Sequence, residues 1–209
     1  LSVKIRLIKI IGGSMENNKL TVRDLTNIGL FSVLIFVLTF LSSIIMLIPF
    51  AMPILPFVIG ILTGPVYMIY STKIKKVGMI FIQQIILALI FVSTGHGPFI
   101  ILTIGICSII AELIIRKGGY KSLKYSRLAF TITPIGYIGN FIPLLISRDK
   151  IYAKLVANEG VEFANQFMSS VPNWMVIPCI LLAMLGGFLG CTIGIVILKK
   201  HFEKAGMLK

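Results

Sequence analysis

The sequence predicts an all-α integral membrane protein of six transmembrane helices with both termini on the cytoplasmic side. Three observations carry this. The 209-residue chain is 57% hydrophobic and only 13% charged, with a mean hydropathy of +1.00; soluble chains are about 25% charged. So little polar surface excludes a soluble enzyme, a nucleic-acid-binding domain and a disordered chain. The apolar residues fall into six blocks, most near the ~20 residues a bilayer crossing needs. The net charge of +13 sits in short clusters between those blocks, the pattern of loops at a membrane surface.

Residues 1–14 read LSVKIRLIKIIGGS and precede Met15. Codons for Ile-Gly-Gly-Ser-Met can contain a ribosome-binding sequence just before the ATG. Met15 is therefore the expected start, residues 1–14 an extension, and 15–209 a single membrane domain. The extension is too short for a signal peptide and has no cleavage site.

The first span is expected from about Leu25 to Leu47. Pro49, Pro53 and Pro56 follow within LIPFAMPILP, and prolines this dense deny backbone donors and force an apolar turn. The second span, about Phe57 to Tyr70, is short and contains Pro65. The third covers about Val77 to Val92, closed by Gly95-His96-Gly97-Pro98. The fourth runs Phe99 to Ile115, the fifth Leu128 to Ile146 and the sixth Trp174 to Leu198. One long polar loop, 147–172, separates the last two.

Seventeen of the 20 Lys and Arg lie in one alternating set of loops and termini; only Arg148, Lys150 and Lys154 lie in the other. The positive-inside rule then puts both termini in the cytoplasm and the 48–56 turn, the GHGP tetrad and the 147–172 loop outside.

Few polar residues enter the spans. Gln83 and Gln84 suit interhelical hydrogen bonds, and Glu112 lies four residues before Arg116, the spacing of a helical ion pair. Cys107, Cys179 and Cys191 sit in apolar runs without metal-ligand spacing. At the outer ends, His96 lies between two glycines, which allow close approach of a ligand. Phe50, Met52, Phe57, Phe99, Asn140, Asn173 and Trp174 fall at the same level. Together they would make an apolar, aromatic pocket with a few polar groups. The aromatic residues also suit interfacial anchors, and His96 a solvated turn. A neutral imidazole can exchange hydrogen bonds with a ligand or serve as an axial ligand to haem iron. Apolar residues at helical spacing on either side of Gly160 predict two short helices, a lid over this pocket or a pair lying on the membrane.

Gly186, Gly190 and Gly194 repeat every fourth residue, Gly60 and Gly64 do the same, and Gly29 with Ser32 makes a weaker patch. Such faces suit internal helix packing or a docking membrane partner. No phosphate-binding loop, HExxH, GxSxG or paired carboxylates occur, so catalysis by this chain is not expected. Any ATP hydrolysis belongs to other subunits.

Several runs resemble one family: Lys19-Leu-Thr-Val-Arg-Asp-Leu before the first span, the proline-flanked second span, Thr94-Gly-His-Gly-Pro, and Ala111-Glu-Leu-Ile-Ile-Arg-Lys-Gly-Gly-Tyr. That family is the Trep_Strep or MptD group of energy-coupling-factor (ECF) transporter S components, and the resemblance spans about Lys19 to Lys204. It implies a six-helix S-component bundle in the bacterial plasma membrane. Such a subunit captures a vitamin-like molecule or haem as cargo from outside. It works with a transmembrane T component and two cytoplasmic ATPases, has no intrinsic cofactor and binds no nucleic acid. The family's small-residue docking face on the first helix maps to Gly29 and Ser32 here, interrupted by Val33. A stand-alone secondary transporter is the alternative. It is weakened by the lack of a related second half. An intramembrane enzyme would need two catalytic groups at one depth, and Glu112 stands alone.

Overall fold

A reciprocal cap starts the first helix. The Thr21 N–H donates to the Asp24 carboxylate at 2.8 Å, and the Asp24 N–H returns the bond to the Thr21 hydroxyl at 3.3 Å. In the computed structural model, which describes residues 20–47 and 53–204, helix α1 then runs over Val22–Ser42 and tightens into a 3₁₀ turn at Ser43–Leu47. Met15, the extension before it, Phe50 and Met52 lie outside the described residues.

Helix α2, Leu55–Lys73, carries Pro56 in its first turn, where a missing N–H costs nothing, and Pro65 in its interior. Helix α3, Met79–Ser93, follows Gly78, whose φ of 86° is the left-handed entry into the helix. Helix α4 covers Phe99–Lys117 and α5 covers Leu123–Ile132. The fifth span then departs from the single helix expected. It continues as a 3₁₀ stretch, Thr133–Phe141, and ends in the short helix α6, Ile142–Ile146. Pro134 and Pro143 stand at the start of these two pieces, where a proline cannot continue the preceding ladder. Helices α7, Arg148–Glu159, and α8, Val161–Ser170, meet at Gly160, the two short helices expected of the long loop. A 3₁₀ turn at Asn173–Met175 leads into α9, Val176–Lys204.

Among the described residues, five stretches are long and apolar enough to cross a membrane: 22–45, 55–73, 99–117, 123–146 and 173–200. The third expected span, α3, is apolar but has 15 residues, about 22 Å at 1.5 Å per residue. Among the described residues there is no strand.

Helix α9 lies along α2 and also packs on α5; α1 covers α2 and α3, and α4 joins α3 to the α5 segment. The glycine stripe explains the first contact. A Cβ at Gly186 or Gly190 would overlap the backbone of Phe57 or of Gly60–Ile61, and one at Gly60 or Gly64 would overlap the backbone of α9. Gly194 faces Pro65 and Met68. The stripe proposed as a partner-docking face is thus filled from within the chain. Gly29 and Ser32 do not form one patch either. Gly29 has open space around it, while Ser32 is buried and donates to the Ile28 carbonyl at 2.8 Å.

Glu112 does not make the expected pair with Arg116. Its carboxylate accepts from the N–H groups of Gly78, at 2.7 Å, Ile80, at 2.9 Å, and Phe81, at 3.3 Å, and from the Tyr120 hydroxyl at 2.8 Å. An anion at a helix N-terminus meets three orphan donors and the positive end of the dipole. An exposed guanidinium four residues away offers less. Burial and this carboxylate push the Tyr120 hydroxyl well above the usual phenol range. Nearby, Lys76 bonds Asp24 at 2.7 Å, the one salt bridge among the described residues. These two carboxylates tie the lysine-bearing ends of α1, α2, α3 and α4 together.

Candidate ligand cavity

At the other end of the bundle the helix termini diverge around a cavity of about 480 Å³. Helix α1 contributes Thr39, Phe40 and, past its end, Ser43; the start of α2 contributes Leu55, Pro56 and Ile59. Phe91 of α3 and the turn Gly95-His96-Gly97 form another wall, and Tyr137, Asn140 and Phe141 of the 3₁₀ stretch close it. The irregular fifth span is what makes this possible. Gly136 and Gly139 bring the 3₁₀ backbone against Ile104 and Ile100 of α4, and the Thr103 hydroxyl donates to the Gly136 carbonyl at 2.6 Å. That close seat turns Tyr137 inward, where it is only 6% exposed.

His96 stands exposed at the rim. Its Nδ1 lies 3.0 Å from the Phe91 carbonyl. The Thr94 hydroxyl lies 3.3 Å from the same nitrogen, so Nδ1 donates to the carbonyl in one tautomer and can accept from Thr94 in the other. The imidazole packs edge-on against Phe91 at 5.0 Å, and Phe91 against Tyr137 at 5.4 Å, so rim and floor are joined by one aromatic column.

Below the floor lies a polar group in the bundle core. The Gln84 amide donates to the Tyr67 hydroxyl at 2.8 Å and to the Gln83 carbonyl oxygen at 3.0 Å, with both glutamines buried. Tyr67 stacks on Phe130 at 4.6 Å. The Tyr137 hydroxyl faces those of Tyr67 and Thr39 but has no partner in hydrogen-bonding geometry among the described residues. The Gln83 amide nitrogen has none either.

Of the expected pocket residues, His96 and Asn140 line the cavity. Phe99, Asn173 and Trp174 do not: Trp174 is 68% exposed, and the Asn173 side chain accepts from Arg148 at 3.1 Å. Helices α7 and α8 form as expected, but no residue of either lines the cavity. They cover a separate apolar cluster of Phe141, Leu144, Val171, Met175 and Cys179. Thr39, Ile59, Phe91 and Tyr137 were missed from the sequence. A tyrosine at mid-span reads as an ordinary apolar residue, and only the proline and glycine spacing of 134–143 hinted that this backbone departs from a helix.

Among the described residues the lining holds no carboxylate, lysine, arginine or cysteine. Among the described residues no group of three or more His, Cys, Asp or Glu is placed to hold a metal ion. A mostly apolar chamber with His96, Asn140 and the hydroxyl-bearing Thr39 and Ser43 in its lining can bind a small organic molecule. A family model described as a hypothetical bacterial integral membrane protein (Trep_Strep) matches residues 22–204, from the first residue of α1 to the last of α9. No curated protein and no solved structure matches the chain.

Proposed function

The chain belongs to the Trep_Strep family of bacterial integral membrane proteins, and from that premise we propose that it is the cargo-capturing S component of an ECF-type importer in the plasma membrane. The observation that carries the reading is the cavity of about 480 Å³ between helix ends, large enough for a vitamin-like molecule. In this reading α3 completes six crossings. One end of α3 is held by Glu112 among the lysine-bearing loops and the other opens into the cavity wall. The 17-to-3 partition of Lys and Arg supports a cytoplasmic position for the loops at 74–78 and 118–122 and an outward-facing cavity.

Cargo enters at the rim beside His96 and settles against Phe91, Phe141 and Tyr137. Haem fits the same chemistry. In the tautomer whose Nδ1 donates to the backbone carbonyl, Nε2 is the nitrogen a metal-ligating histidine uses. The chain has no nucleotide-binding motif, so ATP hydrolysis falls to two partner ATPases, coupled through a T component. Gly29, open on the outside of α1, remains available for that partner, whereas Gly186, Gly190 and Gly194 are occupied.

Native mass spectrometry, with an absorbance spectrum, on tagged protein drawn from its own host's membranes tests this. Co-purified ATPases and T subunit, with a bound small molecule lost in His96→Ala, are expected. A Soret band would identify the cargo as haem. A lone chain that moves cargo unaided would replace this reading with a secondary transporter.

A further inference from the structure

Between α5 and α9 the fold holds a charge without supplying its counter-charge. Arg127 lies within the 123–146 crossing and is half-buried. Its guanidinium stands 4.5 Å over the Phe188 ring, and Nη1 reaches the Thr192 hydroxyl at 3.4 Å, long for such a bond. Nε is buried without an acceptor, whereas Nη2 has no acceptor among the described residues and is not buried. An arginine keeps its charge in a protein. Among the described residues no carboxylate lies within ion-pair distance of it, and neither 123–132 nor 176–200 contains Asp or Glu.

We propose that this guanidinium binds the phosphate of an anionic membrane lipid, drawn into the α5–α9 groove from the leaflet at the lysine-bearing end of the bundle. Lys124 stands one turn before Arg127 on α5, and Lys199 two turns after Thr192 on α9, spacings that keep each pair on one helix face. Both lysines are exposed. In the other direction the groove closes, because Gly187 seats against the Thr131 backbone, where a Cβ would lie 3.1 Å from the Thr131 Cα. Leu128 and Val196 beside the groove are exposed, so its mouth faces lipid. Thr192 lies about 10 Å along α9 from Lys199, which puts the guanidinium deeper than the lysines. A charge at that depth is costly unless paired, and a phosphate diester supplies two oxygens that match the guanidinium fork. Basic pockets between transmembrane helices hold acidic headgroups in this way. The inference is independent of what the cavity binds.

Competition native mass spectrometry tests it on the detergent-solubilised full chain, with dioleoylphosphatidylglycerol and dioleoylphosphatidylcholine in equal amounts. The ratio of the two adducts within one sample is the readout. The wild type should favour the anionic lipid by about tenfold or more, and Arg127→Gln should remove most of that preference, the factor a charge-assisted hydrogen bond supplies. Lys124→Gln and Lys199→Gln, at exposed positions, should each lower it by about two- to fivefold. They keep the test open if Arg127→Gln fails to fold. Equal binding of the two lipids by the wild type, or an unchanged ratio in Arg127→Gln, would overturn the proposal. So would unchanged ratios in both lysine variants. Added inorganic phosphate should leave the lipid bound; displacement would make this a site for soluble anions instead. A co-purifying membrane protein that blocks the lipid and is lost in Arg127→Gln would assign the charge to a protein carboxylate and overturn the lipid.

Discussion

At the scale of single residues, Glu112 shows how local geometry decides between two plausible partners. Its spacing to Arg116 suits a helical pair, yet the carboxylate serves three backbone donors of α3 and Tyr120. Glu112→Ala should therefore cost about 2–3 kcal/mol, read as a loss of about 5–10 °C in unfolding temperature in detergent. Arg116→Ala should move it by less than about 2 °C. Equal losses in the two variants would mean that the ion pair, not the cap, holds the loops. The sequence contained the acidic residue and the Gly78 entry, but the contact joins positions 34 residues apart, and no periodicity within either helix reveals it. His96 was legible for the opposite reason: two glycines and a proline around one imidazole announce a shaped turn without any knowledge of its neighbours. Tyr137 carries no such flag.

At the scale of elements, the α2–α9 seam is the firmest part of the bundle. Backbone meets backbone there, so Gly190→Leu has nowhere to place its side chain. It should cost at least about 3 kcal/mol and sharply reduce the yield of monodisperse protein in size-exclusion chromatography. Gly29→Leu meets open space and should leave that yield unchanged; a comparable loss there would show that the two positions are equally crowded. The α7–α8 hairpin depends on Arg148, whose guanidinium donates to the carbonyls of Met168, at 2.7 Å, and Val171, at 2.8 Å. Arg148→Ala should speed amide hydrogen exchange about tenfold or more across 161–172 while leaving α2 and α9 unchanged. Uniform exchange across the chain would instead indicate global loosening. Helix positions were readable to within a few residues, because hydropathy runs and proline punctuation are local. The lid role for α7 and α8 was not, because amphipathic spacing says that a face is covered without saying by what.

At the scale of the whole molecule, apolar side chains cover the outside and polar ones occupy part of the core. Leu30, Val33, Leu102, Ile106, Leu181 and Val196 are exposed, while Gln83, Gln84, Ser108 and Thr63 are buried. That arrangement suits lipid and not water. Impermeant maleimide labelling of intact cells tests the proposed orientation. The native cysteines are buried and should stay unlabelled. Glu159→Cys should label in intact cells and Lys121→Cys only after lysis; the reverse pattern would invert the topology. The glycine seam has a further consequence for how such proteins can diversify. It is built from α2 and α9, whereas the chamber draws most of its surface from α1's end, the turn at 95–97 and the 3₁₀ stretch. Ile59, Phe91 and Tyr137 of the chamber wall also belong to the buried core, so that part of the wall is framework as well. Asn140, exposed in that wall and outside the core, is a position where, in the proposed reading, drift among gene duplicates could retune selectivity while the scaffold stays intact.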